Sequence, residues 1–185
     1  MDSTERYDLG KNASLKRRYE RTIKFVEASL QPPLRILDLG IQNPLSQLLA
    51  SKGFEIVNTG GEDLDESPQS VSGHQVDVVT AFEIFEHLLN PLSVIKALPG
   101  DKLIASVPLR LWFAKAYRHP SDEWDRHYHE FEDWQFDWLL DKAGWKVVRR
   151  EKWASPISKL GIRPLLRLIT NRYYIIEAVR KNTKL

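Results

Sequence analysis

The spacing of apolar positions changes character along the chain. Ile23, Val26 and Leu30 recur at helical intervals with Lys and Arg between them, which predicts a helix over 11–30. Pro32-Pro33 stops it and frees the chain to extend. RILDL is then a short apolar strand. Pro44 suits the first turn of a second helix, 44–52, because its missing N–H is harmless there, and Gly53 ends that helix. FEIVNT, 54–59, reads as a second strand. Residues 60–75 are acidic and polar, with room for one short strand. VDVVTAF, 76–82, is β-branched and almost continuous, the pattern of a strand buried on both faces. A helix is predicted near 90–98, with Pro91 in its first turn, and KLIASVP, 102–108, reads as another buried strand.

This alternation of strand and helix predicts a parallel sheet covered on both faces. The last third differs. Residues 109–131 are irregular and aromatic. A helix over 132–143 places Phe136, Leu139, Leu140 and Ala143 on one face. Strands follow at 145–153 and 172–181, around a short basic amphipathic element at 162–170. Two such late strands suggest an antiparallel hairpin at one sheet edge. The expected organisation is one domain over 1–185: the helix at 11–30, a first half at 34–108, and a second half with the hairpin at 109–185.

Composition narrows the classes. The 185 residues suffice to bury most of a central sheet. A formal net charge of +2 gives no global argument for nucleic acid. The absence of cysteine removes disulfides and thiolate metal sites. The N-terminal stretch is too charged for a secretory signal, and no apolar run reaches the ~20 residues of a membrane span. A cytoplasmic location is the default expectation.

Three segments carry a resemblance in order and spacing: RILDLG; VDVVTAFEIFEHLLNPLSVIKAL; and SVPLR followed by HYHEF and FDWLLDKAGW. Over roughly 15–153 the chain resembles the class I S-adenosylmethionine-dependent methyltransferases, especially the compact type 11 group. The resemblance implies an α/β, Rossmann-like, doubly wound seven-stranded sheet, mostly parallel with an antiparallel last strand. It also implies S-adenosylmethionine as cofactor and a small or lipid-like acceptor methylated on O or N. Asp38 and Gly40 stand where such sheets bind ligands, at a strand's carboxyl end. Gly40 permits a sharp turn, and helix 44–52 is expected to aim free N–H groups at the same place. The family's glycine loop is altered here, with Gln42 and Pro44 in place of two glycines. The family's ribose-binding acid falls at Gly60, leaving Glu62, Asp63 or Asp65 to reach back. The cofactor set is therefore Asp38, Gly40, Gln42, Gly60, Glu62 and Phe82. The altered loop leaves an alternative open, a methyltransferase-like module that has lost cofactor binding and catalysis.

The acceptor set is Glu83, His87, His127 and His129. Glu83, Glu86 and His87 form E-x-x-E-H, and on a helix Glu83 and His87 share a face. The pattern resembles one in ubiquinone-pathway O-methyltransferases that is associated with a divalent metal. Two carboxylates and an imidazole suit such an ion. A capping and packing role ranks above it, so no metal is expected. His87 can instead act as a general base. His127 and His129 lie in RHPSDEWDRHYHEF, read first as an acceptor-side loop, next as a hydrogen-bonded polar loop, and last as a metal site. Tryptophans crowd the segment from Trp112 to Trp153 among Arg and Lys. Stacking on nucleobases ranks below a core or cover role for Trp134 and Trp138. LRLWFAKAY, 109–117, is apolar and basic, suited to a lid or to lipid contact.

Overall fold

The computed structural model describes residues 12–119, 121–122, 125–155 and 161–181. Helix α1, Ala13–Ser29, begins where the Asn12 side chain accepts from the Leu15 N–H. Strand β1, Arg35–Asp38, runs into the Gly40 turn, and α2, Pro44–Ser51, follows. Strand β2 is Glu55–Asn58 and β3 is Val78–Phe82. Helix α3, Pro91–Ala97, leads to β4, Lys102–Pro108. Helix α4, Asp133–Lys142, leads to β5, Trp145–Ala154. Helix α5, Ile162–Ile169, precedes β6, Asn171–Arg180.

The strands form one sheet in the order β2-β1-β3-β4-β6-β5. Strands β2, β1, β3 and β4 are mutually parallel, and β6 pairs antiparallel with both β4 and β5. The last strand is thus the antiparallel one, inserted inside the sheet with β5 at the edge. The expected strand count is corrected from seven to six among the described residues. The acidic stretch 60–75 supplies no strand; it holds a 3-10 turn, Pro68–Val71. Its Gly, Pro and Ser favour turns over a ladder.

Neighbouring residues on the strands enter opposite cores, as the two-residue strand period requires. Ile36, Val78, Ile104 and Ile175 pack under α1 and α2 with Val26 and Leu49. Leu37, Val79, Leu103 and Ile176 pack under α3 and α4 with Ile95, Phe136 and Leu140. Trp145 fills the second core and donates its indole N–H to the Ile95 carbonyl at 3.1 Å. Trp134 and Trp138 depart from the expected cover role: they meet edge-on at 4.8 Å on the outer side of α4, and both are exposed. The carboxyl ends of β1, β3 and β4 and the first residues of β6 converge at one end of the sheet, where the site lies.

Candidate functional site

A cleft of about 930 Å³ opens at that end. Its floor is built from residues whose polar atoms bind one another. Asp38 closes β1, buried between its neighbours. It accepts from Thr80 Oγ1 at 2.7 Å and from Asn58 Nδ2 at 3.2 Å. Burial pushes its carboxyl up to about 6, against the two hydrogen bonds that favour the anion. Asn58 Nδ2 also reaches the Gly40 carbonyl at 3.2 Å, and the Gly40 N–H donates to Thr59 Oγ1 at 2.7 Å. The end of β2 therefore fixes the turn after β1. Gly40 takes φ +99°, a conformation costly for any residue with a Cβ.

The departure Ile41 to Pro44 has a structural purpose. Asn43 caps α2: its Oδ1 accepts from Leu45 N–H at 2.9 Å and Ser46 N–H at 3.2 Å. Ser46 Oγ accepts from the Asn43 N–H at 2.8 Å, closing a capping box, and Pro44 has no N–H to satisfy. This corrects the expectation that α2 aims free N–H groups at the ligand. The cap consumes them.

The shared face of Glu83 and His87 would need a helix between them, and there is none. Instead Glu83 sits at φ +58°, and only a 3-10 turn, Phe85–His87, follows. This is a strained position for a non-glycine residue, held by its neighbours. The Glu83 N–H donates to the Ser106 carbonyl at 2.9 Å, and Ser106 Oγ donates to Glu83 Oε1 at 2.8 Å. Arg18 on α1 donates to Glu83 Oε2 at 3.2 Å. Burial works against the Arg18 charge, but Glu83, Tyr173, Tyr19 and Glu86 outweigh it and hold its pKa above the ordinary value. Arg18 was missed from sequence. Nothing in a basic amphipathic helix marks which cation turns inward.

On the acceptor side, Glu86 is buried and neither carboxylate oxygen has a hydrogen-bond partner among the described residues. Burial, then the Glu83 charge, raises its pKa well above the carboxylate range. Its backbone carbonyl accepts from Tyr128 N–H at 2.8 Å and His129 N–H at 3.2 Å, tying the loop before α4 to the cleft. His87 Nδ1 lies 3.0 Å from the Arg126 carbonyl. A carbonyl can only accept, so Nδ1 carries a proton, and the neutral tautomer of that arrangement has its lone pair on Nε2. His127 meets His87 edge-on at 4.7 Å and Tyr117 at 4.4 Å. Burial, then the His87 and Arg172 charges, lowers His127 to about 4, so its imidazole is neutral at pH 7. Glu86, His87 and His127 each offer one metal-ligating type of atom, all within 4.8 Å of one another. Glu83 stands outside that group, because Ser106 and Arg18 engage its two oxygens.

Of the residues singled out from sequence, Asp38, Gly40, Glu62, Phe82, Glu83, His87 and His127 line the cleft. Gln42, Gly60 and His129 do not, although Ile41, Asn43 and Gly61 beside them do. His129 stacks on Phe131 at 5.5 Å instead. Among the acids after β2, Asp65 accepts from the Leu89 and Asn90 N–H groups at 2.8 Å each, and Asp63 caps Asp65. Glu62 bends back over Gly60, where a Cβ would come within 3.0 Å of its Oε2.

No family model matches the chain, and no curated protein matches it by sequence. Solved structures do share its fold. The Burkholderia thailandensis 1,6-didemethyltoxoflavin-N1-methyltransferase, solved with 1,6-didemethyltoxoflavin and S-adenosylhomocysteine, aligns at TM-score 0.63 and 16% identity, over 97% of this chain and 85% of that one. A SAM-dependent methyltransferase from Archaeoglobus fulgidus aligns at TM-score 0.63 and 14% identity, over 97% and 100%. The 4+2 cyclase SpnF aligns at TM-score 0.61 and 13% identity, over 88% and 81%. The fold is that of the class I methyltransferases, and the cyclase shows that it hosts more than one activity.

Proposed function

We propose that this chain, with its class I methyltransferase fold, is an S-adenosylmethionine-dependent methyltransferase that modifies an O or N of a small or lipid-like acceptor. The observation that carries the reading is the open Gly40 turn at the end of β1, pinned by Asn58 and Thr59 above the cleft. The donor set fits the cofactor. Glu62, Asp63, Asp65 and Glu66 line the cleft from the stretch after β2, while the cations lining it, Arg18, Arg126 and Arg172, come from other elements. That acidic stretch favours a ligand bearing a sulfonium and an ammonium. Glu62, the one acid bent over Gly60, is the acceptor for the ribose hydroxyls.

When bound, S-adenosylmethionine supplies an electrophilic methyl group to the acceptor atom. The chain's residues position and deprotonate. Glu83, fixed by Arg18 and Ser106, holds the boundary between the cofactor half and the acceptor half. His87 Nε2 takes the proton from a hydroxyl acceptor as that oxygen becomes nucleophilic. His127 and Tyr117, whose rings meet at 4.4 Å, wall the acceptor side and position what binds there. Calorimetric titration with S-adenosylmethionine and S-adenosylhomocysteine tests the reading. Saturable micromolar binding of both supports it, and silence at millimolar ligand makes the chain a non-catalytic module.

A further inference from the structure

Helix α5 is an amphipathic helix with none of its residues buried in the fold. Ile162, Leu165 and Ile169 share one face at i, i+3 and i+7, and are 81%, 60% and 78% exposed. A helix of eight residues is marginal in water on its own propensity, so its stability calls for an apolar partner. Arg163 and Arg167 lie beside that face, one turn apart and exposed. Every charge between Ala154 and Asn171 is positive: Lys159, Arg163 and Arg167.

The helix also has a fixed address. It leads into β6, whose Arg172 and Tyr173 line the cleft. Arg172 and Leu109 are cross-linked there, the Leu109 N–H donating to the Arg172 carbonyl and Arg172 Nη1 to the Leu109 carbonyl, each at 2.6 Å. On the far side of that link a second hollow brings Trp112 together with Thr170, the residue closing α5, and with two ion pairs, Arg110–Glu132 and Lys152–Asp133. Trp112 is 71% exposed. Trp112 and the apolar, cationic helix α5 therefore lie beside the strand ends that line the cleft.

We propose that α5 and Trp112 dock this chain on an anionic lipid bilayer, with the cleft mouth beside the headgroups. Charge and size select this occupant. A short apolar face on a helix whose own charges are all cations, with a tryptophan at its border, matches the physics of an interfacial helix. A second copy of the chain fits poorly. An eight-residue helix, about 12 Å long and about 12 Å across, offers a face on the order of 150 Å², well short of the ~800 Å² per partner of a stable protein interface.

The test is cosedimentation of the full chain with vesicles of phosphatidylcholine alone and of phosphatidylcholine with phosphatidylglycerol, without cofactor or acceptor. Its failure therefore leaves the methyl-transfer reading standing, and the converse. Binding is expected to the anionic vesicles, weaker in high salt and on the neutral ones. The exposed pair Leu165→Ser/Ile169→Ser is expected to lose binding by at least about tenfold while keeping the wild-type far-UV spectrum and melting point. Arg163→Gln/Arg167→Gln is expected to weaken anionic binding by about fivefold per charge. Three results overturn the proposal: no wild-type binding at millimolar lipid, variants that bind like wild type, or a dimer in sedimentation equilibrium that the Leu165/Ile169 variant abolishes.

Discussion

Arg18 and Glu83, sixty-five residues apart, meet at 3.2 Å where α1 crosses the end of β3. The contact joins the helix covering one face of the sheet to the strained residue dividing the cleft. Both side chains are mostly buried, so neither is free to find water if the other is removed. Arg18→Met is expected to destabilise the fold by about 1–3 kcal/mol, the usual cost of orphaning a charged hydrogen-bond partner. Arg18→Met/Glu83→Gln is expected to lose less than the two single changes added together. Urea denaturation of the four proteins checks the cycle; strict additivity would show that the pair carries no coupling.

Gly40 is tested by a single methyl. A Cβ there meets only Ile84 Cδ1, at the ordinary distance of 3.5 Å, so the cost of Gly40→Ala is backbone strain at φ +99° and not a clash. The expected loss is about 1–2 kcal/mol. A melting point unchanged by the substitution would mean that the turn relaxes freely.

Glu62 and Asp65 have different tasks despite their proximity. Asp65 holds the Leu89 and Asn90 N–H groups, so Asp65→Ala is expected to lower stability. Glu62→Gln is expected to leave stability alone and weaken S-adenosylhomocysteine binding by roughly tenfold or more, the worth of a charged hydrogen bond. Equal affinities for wild type and Glu62→Gln would remove Glu62 from the ribose site.

The pH dependence of stability separates buried Asp38 from half-buried His127. His127 titrates near 4 folded, against 6.5 for a free imidazole. Between those values the unfolded chain binds the extra proton, so His127 erodes stability as pH falls from 6.5 towards 4. Asp38 works in the opposite sense: raised to about 6 from 3.8, it adds stability at low pH that is lost as pH rises through 6. Denaturation of wild type and His127→Gln at pH 7.5 and pH 4.5 isolates the first effect. The wild type is expected to lose ground to the variant at the lower pH; parallel losses would show that His127 is not desolvated.

Much of this architecture was legible because periodicity survives into packing. The β-branched run at Val78 to Phe82 and the alternation around it located the sheet, and Leu103 and Ile104 enter opposite cores as their spacing requires. What was not legible depends on backbone torsion and on distant partners. Glu83 follows a predicted strand with no local sign of a positive φ, and Ser106 and Arg18, which hold its carboxylate, come from elsewhere in the chain. Gln42-Asn43-Pro44 looked like a damaged glycine loop because cofactor turns are sought as glycines, whereas Asn43 and Ser46 form a helix cap. The stretch after β2 offered three acids equally, and only the structure shows that Asp63 and Asp65 are engaged by the loop's own N–H groups.

The central claim is that the Gly40 turn, with its capped helix in place of a glycine-rich loop, holds S-adenosylmethionine. Isothermal titration with S-adenosylmethionine and S-adenosylhomocysteine measures this directly. One saturable site per chain in the micromolar range is expected for each ligand, weakened in Glu62→Gln. No heat at millimolar ligand, from protein that melts cooperatively, would contradict it.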